Sequence, residues 1–223
     1  MRHRINIILK LAVLLVTCCF PICEGGTARS TWQASDLIVP GIRVGAITPQ
    51  TSESELQKIY GLKNVRDAEV DVGEGEHVQG TVIYPDNPTK TIEVIWKDAH
   101  EKRRPNQVRL TGEKSVWRTR QGISLGTRLK ELERINGRPF VLTGFDYDLA
   151  GTVGSWEGGE LEKQFDKRGR VILRLDYSHK SIYRLSEKEL NSVGGDQFFS
   201  SNNRVMQKIN PKVYEIVVEF PED

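Results

Sequence analysis

A short pattern occurs twice in this chain, and no other feature restricts the fold as much. Gly41-Ile42-Arg43-Val44-Gly45 returns as Gly122-Ile123-Ser124-Leu125-Gly126, 81 residues on. Glu55-Leu56-Gln57-Lys58-Ile59-Tyr60-Gly61 returns as Glu131-Leu132-Glu133-Arg134-Ile135-Asn136-Gly137, 76 residues on. The first copy therefore carries five extra residues, Ala46 to Gln50. Gly80-Thr81-Val82 echoes in Gly151-Thr152-Val153. Self-similarity of this kind points to repeated supersecondary units.

Each unit reads as one helix followed by strands. Ser52 to Tyr60 is a helix: Thr51 or Ser52 caps it, and Glu53 and Glu55 sit near its positive end. Leu56, Ile59 and Tyr60 share one side, and Gly61 stops it. Arg128 to Asn136 is its counterpart, with Thr127 as cap and Gly137-Arg138-Pro139 as stop.

Strands are expected at Leu37-Val39, Val65-Val72, His77-Tyr84, Thr91-Lys97 and Asn106-Thr111, with Lys102 to Pro105 as a basic loop. The second copy offers Phe140-Tyr147, Gly151-Trp156, Leu161-Phe165 and Arg170-Tyr177, with a hairpin tip at Asp166 to Gly169. Ser178 to Pro211 interrupts it. There Ser186-Glu187-Lys188-Glu189 fits a capping box, and Asn203 to Ile209 reads as another helical turn or two. Lys212-Phe220 alternates strongly and closes the core.

The expected fold is α+β, with two divergent repeats. Each is a short helix packed on an antiparallel β-meander, and together they share or extend one sheet. The expected divisions are a signal peptide at 1–26, a leader with a short strand at 27–40, a first repeat at 41–112 and a second at 113–223, with the helical insertion at 178–211.

The signal rests on Arg2 and Arg4, an almost unbroken apolar run from Ile7 to Phe20, and small residues at Gly25 and Gly26. It holds Arg2, Arg4, Lys10 and Glu24, so of 32 basic and 30 acidic residues 29 of each remain after it. A neutral exported chain gives no case for nucleic acid. All three cysteines, Cys18, Cys19 and Cys23, lie in this stretch. Cleavage removes them; lipidation at Cys18 is the alternative. Either way, the membrane is reached only through the signal or a lipid anchor.

The glycine-led pattern and its helix resemble the small exported outer-membrane assembly lipoproteins of the SmpA/OmlA (BamE-like) class. The tandem helix-plus-sheet units are similar to those of the β-lactamase-inhibitory-protein type. The resemblance implies an exported scaffold or inhibitor-like role and assigns no binding residue. The five-residue insert and Ser178 to Pro211 have no counterpart in that pattern.

Chemical motifs are few. His77, His100 and His179 form no helical metal spacing, and no nucleophile elbow, P-loop or dinucleotide fingerprint occurs. No catalytic residue, metal site or cofactor is assigned. Asp67, Glu69, Asp71, Glu74 and Glu76 begin like a calcium loop, but Val72 stands where the turn needs glycine; they read as a solvated strand face. Eight Lys/Arg between Lys97 and Arg120 can meet lipid headgroups or an acidic protein, or form a solvated loop. Phe145 and Tyr147 fall on one strand face near Trp156, while Trp96 and Trp117 end the first copy. These five are either anchors for an envelope or secreted protein partner or ordinary core. Three functions follow: a non-catalytic protein-binding module of the cell envelope, a carrier or sensor with a small-ligand pocket between the repeats, and a hydrolase.

Overall fold

The computed structural model describes residues 36–221, apart from Glu74, Glu113 and residues 166–168. The chain opens with β1 (Leu37–Val39) and β2 (Arg43–Val44), then α1 (Glu53–Tyr60). A long hairpin follows, β3 (Val65–Gly73) and β4 (Glu76–Ile83), and then β5 (Ile92–Asp98), β6 (Arg103–Thr111) and β7 (Arg118–Thr119). The second half holds α2 (Leu129–Asn136), β8 (Val141–Thr143), β9 (Val153–Ser155), α3 (Glu162–Phe165) and β10 (Arg170–Asp176). It ends with α4 (His179–Ile182), α5 (Glu187–Asn191), β11 (Phe198–Ser200), α6 (Arg204–Ile209) and β12 (Lys212–Glu219).

The fold is α+β. Its main sheet is antiparallel, in the order β10-β12-β6-β5-β4-β3. Two small sheets flank it: β2-β1-β7, in which β1 and β7 run parallel, and the antiparallel β11-β8-β9. Side chains alternate across a strand, and the register aligns that alternation over the main sheet. One row runs Val94, Val108, Val218, Val171. With Ile92, Trp96, Leu110, Ile216 and Leu173 it forms the buried floor of the core.

The helix starts are built alike in both halves. The Thr51 hydroxyl accepts from the Thr48 N–H, and Thr127 accepts from Ser124, each at 2.9 Å. The first helical amide of each helix donates to the chain just ahead of a sheet strand, Glu53 to Lys102 and Leu129 to Pro211. Those strands, β6 and β12, pair at the centre of the sheet. Each leaves one residue unopposed toward its outer neighbour, Asn106 and Tyr214, three positions from the Arg109·Val217 pair.

Elsewhere the halves differ. The four-strand meander expected in the second half is absent: β8 and β9 leave for a separate sheet. Leu161–Phe165 is not a strand. Leu161 and Phe165 are both buried one helical turn apart, and α3 lies between them. The hairpin tip at Asp166 to Arg168 lies outside the described residues. The expected strand over Phe140-Tyr147 stops at Thr143, and Asp146 takes a positive φ of 66°, so Phe145 and Tyr147 share no strand face. The basic stretch Arg103 to Pro105 is the start of β6 rather than a loop. Thr127 does not cap α2; Arg128 holds that position without a side-chain bond. Ile59 faces solvent at 55% exposure, leaving Leu56 as the buried anchor of α1.

Candidate functional site

The second face of the main sheet is the open question, since the first is filled by core. Its rows alternate charge and hydrocarbon. One reads Ile172, Val217, Arg109, Glu93, Val82; the next, Arg170, Glu219, Gln107, Ile95; the third, Arg174, Glu215, Thr111. A face left to water would need no valine or isoleucine in these rows.

The β3–β4 hairpin covers part of it. β4 pairs with β5 only over Thr81–Ile83. Gly80 stands at the edge of that pairing, where a Cβ would lie 2.7 Å from the Val94 carbonyl oxygen and 2.8 Å from Val70 Cγ2; only glycine permits that approach. Beyond this point the arm lies over the sheet. Val70 is buried, and Arg109 Nη1, three strands from β3, donates to the Asp71 carbonyl. Leu149 of the second half lies against Gly73 at the arm's end. Between arm and sheet is a trough of about 300 Å³, and all six strands line it. Val72 and Val78 come from the arm. Ile95, Arg109, Glu215, Val217, Ile172 and Arg174 come from the sheet.

Its charges form a chain. Glu215, only 1% exposed, accepts from Arg109 Nε on one oxygen and from Arg174 Nη1 at 2.6 Å on the other. Arg109 Nη1 also faces Glu93 Oε2 at 3.7 Å. Gln107 donates to Glu219 at 3.2 Å. Burial pushes the Glu93 carboxyl above the usual glutamate range; Arg109 opposes the shift, while Glu215 and Asp71 add to it. Two polar atoms here are buried without a hydrogen-bond partner among the described residues, Glu93 Oε2 and Arg174 Nε. Buried polar atoms are almost always satisfied; Arg174 lines the trough, while Glu93 stands beside it against Arg109.

A larger cleft, about 580 Å³, lies where β6, β10 and β12 meet the Leu125-Gly126 turn. Two tyrosines line it. Burial raises Tyr214, and burial with Asp146 pushes Tyr177 up to about 12. Of its charged residues Lys114 and Asp176 are exposed and Lys212 is half-buried, so none there is buried as Glu215 is.

The aromatics expected as partner anchors are mostly interior. Trp96 donates from its indole to the Thr81 hydroxyl at 2.9 Å, and Trp117 to the Lys90 carbonyl at 3.1 Å. Trp156 packs between Phe140 and Phe165, and Phe145 meets the Tyr177 ring edge-on. All four are buried and Tyr147 is half-buried, so these residues do not assemble an open aromatic face. Cys18 lies outside the described residues. His77, His100 and His179 are exposed and none lines the trough. Within the acidic run, Asp67 pairs with Lys102, Glu69 accepts from Gln79, and Asp71 caps the Gly73 amide; Glu74 is outside the described residues. No cluster of metal-ligand type occurs among the described residues. The basic segment is dispersed: Lys97 reaches the Pro221 carbonyl, Lys102 pairs with Glu53 and Asp67, and Arg109 enters the trough.

Sequence reasoning passes over Glu93, Arg109, Arg174 and Glu215, because alternation reads them as a wet face. The signal that could have found them is the hydrocarbon interleaved with them, above all Val217 and Ile172. No protein-family model matches the chain, and no curated protein and no solved structure resembles it closely enough to count as a match.

Proposed function

We propose that this is an exported, non-catalytic binding protein that holds a small ligand in the trough beneath the β3–β4 arm. The observation that carries this reading is one cavity lined by every strand of the main sheet and floored by the buried, doubly paired Glu215. Its size falls at the lower end of small-molecule sites, about 300–1,000 Å³. Strands of both halves contribute, so the ligand sits where the expected repeats meet. The leader at 1–26, read as a secretory signal, supports a location in the periplasm or at the cell surface.

The test is native mass spectrometry of the protein purified from its own cells, beside an Ile172→Trp variant that fills the trough. The reading expects a small molecule on the wild type and its loss from the variant. A molecule retained equally by both would overturn it.

A protein-binding envelope module is the second reading. Tyr183 and Phe198 favour it, at 81% and 67% exposure. Phe198 also has a local role, since its ring lies over Gly154. Here the expected result is a stoichiometric protein partner that Ile172→Trp retains and Tyr183→Ala loses.

A further inference from the structure

The charges that line the trough are matched to one another. Arg109 and Arg174 stand against Glu215 and Glu219, so their formal charges cancel. The match extends to atoms. Glu215 is buried and accepts on both oxygens, from Arg109 Nε and from Arg174 Nη1. Arg109 Nη1 goes on to the Asp71 carbonyl, and Glu219 accepts from Gln107. A charged ligand meets no lining group that lacks its counter-charge, and an unpaired charge is costly to take out of water. An anion on either arginine would also share it with Glu215, and at Arg109 with Glu93, 3.7 Å away.

What the lining leaves unused is hydrocarbon and hydrogen-bond donors. Val72 and Val78 of the arm and Ile95 and Ile172 of the sheet are only half-buried, with Val217 buried among them. Covering them removes apolar surface from water. A guanidinium has five N–H donors and no acceptor. Among the described residues Arg174 makes one hydrogen bond, from Nη1 to Glu215, and its buried Nε has no partner. The trough's 300 Å³ equals about ten water volumes at ~30 Å³ each, room for a molecule of about ten non-hydrogen atoms.

Resting on the reading of the trough as the binding site, we infer that its ligand is an uncharged aliphatic carbonyl compound, with its chain between arm and sheet and its carbonyl oxygen accepting from the Arg174 guanidinium. Such a ligand leaves the Arg109–Glu215–Arg174 set intact. It brings no charge of its own into the trough, covers the four half-buried aliphatic side chains, and supplies the acceptor that Arg174 lacks.

The experiment is titration calorimetry of the whole protein at neutral pH with 2-nonanone, octanoate and nonylamine, three probes of about ten non-hydrogen atoms that differ in charge. The wild type is expected to bind the ketone about tenfold more tightly than either charged probe. A ¹⁵N–¹H spectrum follows the Arg174 Nε–H cross-peak, assigned as the one missing from Arg174→Lys. It is expected to move when 2-nonanone is added. Both readouts are made on the wild type, so neither depends on a variant's stability. Octanoate or nonylamine binding as tightly as the ketone, or an Arg174 cross-peak that stays in place, would overturn the inference. If a charged probe binds, Ile172→Trp abolishes its binding and 2-nonanone does not bind, the inference about the ligand fails and the binding site stands. If none of the three binds, both fail.

Discussion

Glu215 illustrates how a charge can be buried in a strand that reads as half solvated. Two guanidiniums share its carboxylate, and removing the anion would take the carboxylate from Arg174 and leave Arg109 with the Asp71 carbonyl and Glu93. Breaking such a pair costs about 3–5 kcal/mol, whereas replacing the whole set by hydrocarbon is often neutral. Glu215→Gln is therefore expected to lose about 3 kcal/mol in denaturant unfolding, and Glu215→Leu combined with Arg109→Met and Arg174→Met to recover most of it. Glu93 gives the pH dependence. Its carboxyl is raised by burial, so the folded state holds the proton more tightly than the unfolded one. Its contribution to stability is full below the ordinary value of 4.5 and is lost as pH rises through the raised value. Unfolding curves of wild type and Glu93→Gln should run parallel below pH 4.5 and diverge above it, with the wild type falling. Gly151 carries a steric demand: a Cβ there would stand 1.8 Å from the Leu175 carbonyl oxygen, at a φ of +65°. Gly151→Ala should cost more than about 1 kcal/mol. Its recurrence as the echo of Gly80 was visible in the sequence; its reason, a close backbone crossing in each case, was not.

At the scale of elements, local chemistry was legible wherever the decisive bonds were local. Ser52 and Ser186 both close capping boxes, and Asn203 accepts from the Val205 and Met206 amides. Asn203→Ala should cost about 1 kcal/mol, read as faster amide exchange in α6 before global unfolding. Glu189 ties α5 to α6. Hydrogen bonds from Lys208 and from Ser186 lower its carboxyl to about 2. Its contribution is present above 4.5 and lost as pH falls toward 2, so its carboxyl carbon should titrate by NMR with a midpoint near 2 in the wild type and higher in Lys208→Ala. What was not legible depended on distant partners. The repeat pattern predicts a strand at Leu161 to Phe165. A long-range bond turns it instead: Asn136, buried at the end of α2, accepts the Leu161 amide and donates to the Trp156 carbonyl. Thr127 reads as a cap by type, yet its hydroxyl closes the turn before α2.

For the whole molecule, the α+β class and the antiparallel main sheet followed from the sequence, because alternation and glycine-led turns are short-range signals. The trough did not, because it arises where the hairpin beyond the β4–β5 pairing meets distant strands, as in the Arg109 bond to the Asp71 carbonyl. Periodicity names the faces of a strand but says nothing about what lies over them. For the same reason periodicity does not decide whether Trp96, Trp117, Phe145 and Trp156 are surface or core; the structure places them inside. The central claim is that the trough is the binding site. The most direct measurement is a ¹⁵N–¹H NMR titration of the labelled protein with deproteinised extract from its own cells. The account predicts shifts confined to the amides of Val78, Ile95, Arg109, Ile172, Arg174 and Val217, absent in Ile172→Trp. Shifts clustered at Tyr183 and Phe198, or shifts that persist unchanged in Ile172→Trp, would contradict it.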